Sequence, residues 1–462
     1  MDDIDISAFA KSLRGSVVQN GDPDYDGARK LYNAAFDKRP RCIVRCKDAA
    51  DVIGAVKLAR DSGLPLAIRG GGHNGAGLGS IDNGIVIDMS QINDVRVDPK
   101  AGTVRVGAGC TTGQVDHATF PFGLAVPFGI ISTTGVAGLT LSGGHGHLSR
   151  KLGLVIDNLI EADVVLADGR FVVASETENA DLLWALKGGG GNFGVVTSFL
   201  FRGNPIGPVY GGPIAFGIED AAAVMRWYRD FLGGAPEDFG IWAALQQVPP
   251  GDPFPREHWN KPVCLLVICH TGSKAEADVN SIRAALPKPI FDWCGPIPYP
   301  ALQQMFDPLV PPGMQWYWKG DFVQTLPDAA IEAHIANARK LPNAQSLMHL
   351  YAIDGAVHRK RSSDTAWNNR SATWSLVIAG VDPDPSQAPA ITRWAKDYWN
   401  DVHKYDLQGG YPNFMMADES ARLQATFGEN YPRLQAAKAK YDPTNLFRVN
   451  HNIQPAAQAQ AG

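Results

Sequence analysis

A histidine directly after three glycines is the most chemically suggestive feature of this chain. The run Arg69-Gly70-Gly71-Gly72-His73-Asn74 follows a short apolar segment at 66–68. Glycine exposes its backbone N–H groups and tolerates tight turns, so such a loop can surround a pyrophosphate, with Arg69 adding positive charge. The unprotonated imidazole of His73 is a nucleophile at neutral pH. From this segment alone, an ordinary turn with a solvent-facing histidine fits equally well.

A second glycine-dense run occupies residues 127–158. It has too little side-chain bulk for a core helix and too many glycines and hydroxyls for a routine strand. Its composition favours a backbone that wraps closely around a large polar ligand.

Two further segments, 181–197 and 440–455, complete a recognisable order of motifs. Together with the glycine runs they resemble the FAD-linked oxidases of the vanillyl-alcohol oxidase superfamily, and within it the berberine-bridge-enzyme-like branch. The resemblance covers residues from about 40 to 200 and from about 410 to 455. It implies a PCMH-type FAD-binding domain and an FAD-dependent oxidoreductase.

The resemblance also assigns residues to the cofactor. His73 matches the position that bonds covalently to the flavin. Ile131 stands where some relatives carry a second linking cysteine, so we predict a single covalent bond. Cys110, in a different segment, is predicted to be a packed small residue and not a second link. The remaining FAD contacts implied are Arg69, Gly70, Gly71, Gly72, Asn74, Thr133, Thr134, Gly135, Gly138, Leu139, Gly144, Asn158, Val196, Asn450 and Asn452.

Candidate catalytic residues lie near the C-terminus, where residues 409–414 resemble a family segment whose tyrosine faces the substrate. Tyr411 is the candidate base and Asn413 orients substrate or cofactor. A phenol ordinarily has a pKa near 10, so Tyr411 needs a nearby positive charge or hydrogen-bond donor to act as a base. A buried tyrosine that caps a strand is an equally good interpretation.

Two aromatic segments in the middle of the chain show the alternation of strands. Alternation places Trp316 and Trp318 on one face, and His349 and Tyr351 on one face of another strand. These side chains could form the wall of a substrate pocket, although a core strand rich in aromatics would look the same.

His145 and His147 depart from the family pattern, which has small and aromatic residues there. Residues two apart on an extended segment share a face, so this pair could bind a metal. Because no third ligand is visible nearby, we predict no metal site and expect satisfied or exposed histidines.

The pattern of elements predicts an α+β protein. We expect an FAD-binding domain of two α/β subdomains at 1–204, a substrate domain with an antiparallel sheet covered by helices at 205–408, and a segment at 409–462 that returns to the first domain. The second flavin subdomain is expected to span 66–110. Expected helices are 6–13, 49–60, 218–232, 274–286, 327–340 and 389–403, and expected strands include 42–46, 66–68, 84–89, 263–270 and 373–379.

Composition excludes several classes of protein. Of the 462 residues, 45% are hydrophobic and 19% charged, so a disordered chain is excluded. The formal net charge of -5 shows no basic footprint for nucleic acid. No apolar run approaches the ~20 residues of a membrane span, and the first residues lack a signal peptide's features, so we expect a cytoplasmic protein. Six cysteines show no disulfide pattern.

The function predicted is oxidation of an alcohol or amine carbon by hydride transfer to FAD, with reoxidation by O2. Aromatic density in the middle region favours an aromatic or alicyclic small molecule as substrate. A dehydrogenase with another electron acceptor and a flavin-loaded binding protein with a decayed site remain alternatives. The sequence leaves the substrate's identity and the oligomeric state open.

Overall fold

The computed structural model describes residues 6–457, and within them the strands form three sheets and one two-stranded ribbon. The first sheet has the order β1-β2-β4-β3, with β4 parallel to both β2 and β3. It contains β1 (Ser16–Gln19), β2 (Cys42–Arg45), β3 (Leu66–Arg69) and β4 (Ile85–Asp88). The expected subdomain boundary at residue 66 is wrong, because β3 and β4 pair within this first sheet.

Helix α3 (Ala49–Ser62) connects β2 to β3 and has clear local start and stop signals. The Asp48 side chain accepts hydrogen bonds from the N–H groups of Ala50 and Asp51, and Gly63 ends the helix with a φ of 68°. Helices α1 (Ile6–Lys11) and α2 (Tyr25–Ala28) precede it.

The second sheet is antiparallel, with the order β5-β6-β10-β8-β9. It contains β5 (Val95–Asp98), β6 (Thr103–Gly107), β8 (Leu159–Val165), β9 (Phe171–Ala174) and β10 (Val195–Arg202), while β7 (Leu124–Ala125) and β11 (Asn204–Pro205) form the ribbon. The helices of this region are α4 (Thr112–Thr119), α5 (Val136–Leu141), α6 (Ser149–Leu152) and α7 (Ala180–Leu186). Thus the glycine run at 127–158 is mostly irregular, but it includes two short α-helices and a 3-10 helix at Val155–Asn158.

A large antiparallel sheet follows, with the order β15-β12-β14-β13-β18-β19-β17 and β16 beside β12. Its strands are β12 (Val209–Gly217), β13 (Phe239–Gln247), β14 (Pro262–His270), β15 (Phe291–Asp292), β16 (Gly295–Ile297), β17 (Gln315–Val323), β18 (Leu347–Ala352) and β19 (Trp374–Asp382). Its helices are α8 (Ala221–Leu232), α9 (Ala275–Ala285), α10 (Tyr299–Gln304), α11 (Asp328–Ala338) and α12 (Ala388–Val402).

The two faces of this sheet have different partners. On β18, Met348 and Leu350 join a core with side chains of α8, α11 and α12. Leu347 and Tyr351 belong to a second cluster on the opposite face, with Trp242. The period-2 alternation of a strand therefore places one set of side chains under the helices and presents the other set to the rest of the molecule.

The C-terminal residues return to the first half of the chain through α13 (Leu423–Phe427) and α14 (Tyr431–Tyr441). Leu434, Phe447 and Ile453 are buried in the same core as Val164 and Phe199. The proposed domain boundary near 204 coincides with β11. Within residues 6–457, none of the helices combines the length and apolar character needed to cross a membrane.

The predicted helices and strands are confirmed, with ends that differ by at most three residues. The expected helix at 218–232 begins at Ala221, and the expected strand at 373–379 continues to Asp382. Such shifts arise because end residues are decided by capping and pairing partners rather than by periodicity.

Candidate active site

A cavity of about 340 Å³ lies between the glycine loops and the open face of the large sheet. The loop at 69–74, the run at 129–145, a third glycine segment at 188–192 and the C-terminal residues 449–451 line one side. Strands β17, β18 and β19 line the other. Segments that are distant in sequence therefore converge on one space.

The first two glycine loops meet backbone to backbone. A Cβ atom on Gly71 would lie 2.4 Å from the amide nitrogen of Gly135, and one on Gly135 would lie 2.3 Å from the nitrogen of Gly71. No side chain fits at either position, so only glycine permits this approach. Exposed backbone at the meeting point suits a large polar ligand with a diphosphate.

His73 lies in this cavity as a neutral imidazole. Burial lowers its pKa to about 4, and a hydrogen bond with the backbone of Thr133 acts in the opposite direction. The His73 ring nitrogen that donates to the Thr133 carbonyl carries the imidazole hydrogen. The other ring nitrogen of His73 therefore has a free lone pair. Tyr32 stacks on the imidazole with ring centroids 4.0 Å apart and thereby fixes its plane.

Arg69 lines the cavity but does not supply the free positive charge that the sequence suggested. Its Nη2 donates to Asp88 Oδ2 at 2.8 Å, and both side chains are 8% exposed. The two charges offset each other at the parallel pair β3–β4. Arg69 Nη1 is buried and has no hydrogen-bond partner in the protein, so it remains available to donate.

Tyr411 and Asn413 also line the cavity and contact each other. The Tyr411 hydroxyl oxygen accepts hydrogen bonds from Asn413 Nδ2 at 2.9 Å and from the Gly144 N–H at 3.1 Å. Burial raises the pKa of Tyr411 to about 12, although these two donors lower it. The hydrogen-bond donors that a basic Tyr411 would require are present. Among the described residues that shift the pKa of Tyr411, however, none is positively charged.

His145 and His147 are neither exposed nor fully satisfied, so that expectation was wrong. His145 is 5% exposed and neither ring nitrogen has a protein partner, while His147 Nδ1 accepts from Trp242 Nε1 at 3.4 Å. Burial lowers the pKa of both to about 3, so both are neutral. In the part of the chain that the structure describes, no group of three potential ligands is placed to hold a metal ion.

An aromatic box surrounds His145. Its imidazole lies 5.1 Å from the ring of Tyr351, 4.7 Å from Tyr411 and 5.7 Å from Phe414, measured between centroids. Trp318 closes the box against Phe414 at 6.1 Å. The hypothesis of an aromatic pocket wall is therefore supported by the positions of Trp316, Trp318, His349 and Tyr351, all of which line the cavity.

The C-terminal segment contributes Asn450 and His451 to the cavity. Asn450 Nδ2 donates to the carbonyls of Gly191 and Phe447, and its Oδ1 has no protein partner. His451 Nε2 is unpaired as well, and burial lowers the pKa of this histidine. These free atoms border the space where a polar ligand would lie.

Some of the residues assigned to the cofactor do not line the cavity. Thr133 contacts His73 through its backbone, and Gly144 contacts Tyr411. Asn158 is occupied by hydrogen bonds to the carbonyls of Leu152 and Leu154 and from Asn204. The predicted cofactor residues that do not line the cavity are Thr133, Gly144, Asn158, Val196 and Asn452. Those that do line it include Gly70, Gly72, Asn74, Thr134, Gly138 and Leu139.

Cys110 is packed away from the cavity, whereas Ile131 lines it. Burial raises the pKa of the Cys110 thiol to about 12, so it stays protonated at neutral pH. Tyr32, which stacks on His73, carried no sequence signal because it lies 41 residues earlier outside any glycine motif.

The residues fit an FAD molecule. No protein atom lies within 4 Å of the position that a Cβ would take on Gly138 or Gly191, so the backbone there is open to a ligand. The unpaired atoms of Asn450 and His451 are available for hydrogen bonds, and the described residues that line the cavity include no carboxylate to repel a diphosphate. Bound there, FAD would be held by the loops at 69–74, 134–139 and 188–192 and by residues 449–451.

Comparison with known proteins agrees with this site. A family model for an FAD binding domain matches residues 40–175, and one described as berberine and berberine like matches 410–454. An FAD-linked oxidoreductase from Dictyostelium discoideum is 30% identical over 453 residues, 97% of each chain.

Solved structures show the same fold over almost the whole chain. The 6-hydroxy-D-nicotine oxidase of Arthrobacter nicotinovorans has a TM-score of 0.85 and 25% identity, over 96% of this chain and 98% of its own. The berberine-bridge-enzyme-like protein 1 of Physcomitrella patens has a TM-score of 0.86 and 25% identity, over 98% and 100%. The chain therefore belongs to the berberine-bridge-enzyme-like family of FAD-linked oxidoreductases and is an enzyme.

Proposed function

We propose that His73 bonds covalently to FAD and that the enzyme oxidises an alcohol or amine carbon, with O2 as the final electron acceptor. The observation that carries this proposal is the neutral imidazole of His73. It is fixed by Thr133 and Tyr32 at the junction of two glycine loops, and one of its nitrogens is free to bond.

FAD supplies the acceptor for two electrons and a hydrogen, removed from the substrate as hydride. The chain's own residues position both partners. Backbone N–H groups of the glycine loops bind the diphosphate, and the imidazole bond of His73 prevents cofactor loss. The aromatic face of β17–β19 holds the substrate and excludes water from the reacting carbon.

Tyr411 and Asn413 orient the substrate in this proposal. The two hydrogen bonds that the Tyr411 oxygen accepts occupy its lone pairs, so its own hydroxyl hydrogen remains to donate. With a pKa of about 12, Tyr411 keeps that hydrogen at neutral pH. We therefore assign Tyr411 a donor role toward substrate oxygen or nitrogen.

Reoxidation by O2 is supported by one relative, which is named as an oxidase. Thr134 lines the cavity beside Gly135. We expect peroxide release during turnover in air. Turnover with a dye acceptor under nitrogen, without peroxide formation in air, would identify a dehydrogenase instead.

The covalent bond is tested by acid precipitation and intact mass. Wild-type protein should carry yellow flavin into the pellet and show a mass gain of one FAD, and His73→Ala should lose both. His117→Ala is the matched control, since His117 is exposed on α4 and should retain the bond. Flavin released into the supernatant by wild type would contradict the covalent proposal but leave the cofactor assignment standing.

A further inference from the structure

The backbone on either side of Thr133 is held by the start of α4. The hydroxyl of Thr112 donates to the Ser132 carbonyl at 3.1 Å, and the N–H of Thr112 donates to the Thr134 carbonyl at 2.9 Å. The carbonyl between them, that of Thr133, accepts a hydrogen bond from the imidazole of His73. The position of this backbone therefore decides where the imidazole points.

A carboxylate from the region of the large sheet holds the same backbone. Asp307 Oδ1 accepts from the Ser132 N–H at 2.9 Å, and Asp307 Oδ2 accepts from the Ser132 hydroxyl. Asp307 begins a 3-10 turn at Asp307–Leu309, between α10 and β17 and 175 residues after Ser132. Both groups that Ser132 can donate are thus fixed on one charged partner, which makes these hydrogen bonds strong. Asp307 itself lies outside the set of described residues that line the cavity.

The same turn also fixes Tyr32, whose ring stacks on His73 at 4.0 Å. The Tyr32 hydroxyl donates to the Val310 carbonyl at 2.7 Å, and the Tyr32 carbonyl accepts from the Gly313 N–H at 3.0 Å. The Val310 N–H donates to the Asp307 carbonyl at 3.2 Å, which closes the turn. One turn of the chain therefore holds both groups that orient the imidazole.

A nitrogen that forms a covalent bond needs such control of its direction. Its lone pair must point at the carbon that it attacks, and a misplacement of about 1 Å can slow a reaction about 100-fold. Positive charge also develops on the imidazole as the lone pair is shared. The Thr133 carbonyl stabilises that charge only while it faces the N–H on the other side of the ring.

We propose that Asp307 is a positioning residue for the covalent attachment of FAD to His73. It holds Ser132, and through Ser132 it fixes the Thr133 carbonyl and the direction of the free imidazole nitrogen. This inference rests on the covalent bond proposed above and names a residue that controls how fast the bond forms. Attachment then requires that the turn at 307–310 is already packed against the backbone at 132–133.

The attachment step balances in atoms and electrons. The His73 imidazole loses its N–H hydrogen and the flavin methyl group loses one hydrogen, while an N–C bond joins the nitrogen to the methyl carbon. The two hydrogens and two electrons pass first to the flavin ring and then to O2. Hydrogen peroxide leaves, and the attached flavin is again oxidised.

The test separates attachment of flavin from binding of flavin. Full-length protein is produced under riboflavin limitation, mixed with FAD in air and sampled over time. Intact mass gives the rate of covalent attachment, and flavin absorbance after desalting gives the total bound flavin. Asp307→Leu should slow attachment at least about 10-fold, while total bound flavin and the thermal unfolding midpoint change little. An unchanged attachment rate, or equal losses of attachment and of total flavin, would overturn the inference.

Two further variants grade the effect. Asp307→Asn keeps an acceptor for the Ser132 N–H and a polar partner for its hydroxyl, so the attachment rate should stay within about 3-fold of wild type. Ser132→Ala keeps the N–H bond and loses the hydroxyl, so its rate should lie between those of the Asn and Leu variants. Where Asp307→Leu does not fold, a wild-type rate in Ser132→Ala contradicts the proposal.

Asp384→Leu is the matched control. Asp384 also accepts from the N–H and the hydroxyl of one serine, Ser386, at 2.9 and 2.7 Å, but at an exposed turn before α12. Its loss should leave the attachment rate unchanged, and slowing equal to that of Asp307→Leu would refute the positioning role. Normal attachment in both wild type and Asp307→Leu would reject this inference alone. Wild-type protein that binds FAD without ever forming the bond would reject the covalent proposal as well.

Discussion

Two buried polar regions of this molecule differ in whether their hydrogen-bonding groups have protein partners. The first is the C-terminal clasp, formed by Lys438, Asp442, Asn192 and Phe447. Lys438 Nζ donates to Asp442 Oδ2 at 2.6 Å and to the carbonyls of Asn192 and Phe447 at 2.8 and 2.9 Å. All three of its hydrogens are used.

The second region is the cavity wall around His145. The ring nitrogens of His145, the Nε2 of His349 and the indole nitrogen of Trp318 are also buried, but they have no protein partner. Unsatisfied buried groups reduce stability, so a protein retains them where a ligand completes them. From this contrast we infer that the clasp maintains the shape of the site, whereas the polar atoms of the wall form hydrogen bonds with a ligand.

The largest effect expected from this comparison is in the clasp. Lys438→Met should lower the free energy of unfolding by about 3–5 kcal/mol, because Asp442 would remain buried without its counter-charge. Lys440→Met is the control: its pair with Asp181 is exposed and should change stability by about 0.5 kcal/mol or less. Denaturant titration measures both, and similar effects would contradict the distinction.

An intermediate effect is expected at Asp116, a buried polar group outside both regions. Gln303 Nε2 donates to its Oδ2 at 3.3 Å, while Oδ1 has no partner. Burial raises the pKa of Asp116 to about 7 from 3.8. The stabilisation from its protonated form is therefore present below pH ~4, where the unfolded carboxyl is also protonated, and is lost as pH rises to about 7.

Asp116→Asn should accordingly raise the free energy of unfolding by about 1–3 kcal/mol at pH 8 and have little effect at pH 4. Asp61→Asn, at an exposed site, should show no such pH-dependent gain. Urea titrations at the two pH values provide the measurement. An equal gain at both would mean that ionisation of Asp116 is not the cause.

The smallest effect on stability is expected in the wall itself. His145→Phe keeps an aromatic ring against Tyr351 and Tyr411 and removes two unpaired nitrogens, so the free energy of unfolding should change by about 1 kcal/mol or less. Binding of the neutral aromatic alcohol 2-phenyl-2-propanol should weaken about 10-fold, because its hydroxyl would lose a hydrogen-bond partner. Calorimetry and thermal unfolding on the same sample test both. Large destabilisation with unchanged binding would place His145 with the clasp instead.

Local features of the site could be read from the sequence. The glycines before His73 and those at positions 135 and 138 predict a backbone that can approach a ligand closely. Strand alternation correctly placed Trp316 and Trp318 on the same face of β17. The roles of Asn158 and Arg69 could not be read this way. Asn158 is occupied by nearby carbonyls, and Arg69 is neutralised by Asp88, which becomes its neighbour only when β3 and β4 pair.

The sequence by itself determined the flavoprotein family, the α+β class, the glycine loops and the identity of the histidine beside them. These depend on residue type and short-range spacing, which the printed order contains. The tertiary structure decided that Tyr32 stacks on His73, that His145 is buried without partners, and that the His349–Tyr351 pair faces the same cavity as Tyr411. Those relations join segments tens to hundreds of residues apart, and only packing decides which of them meet.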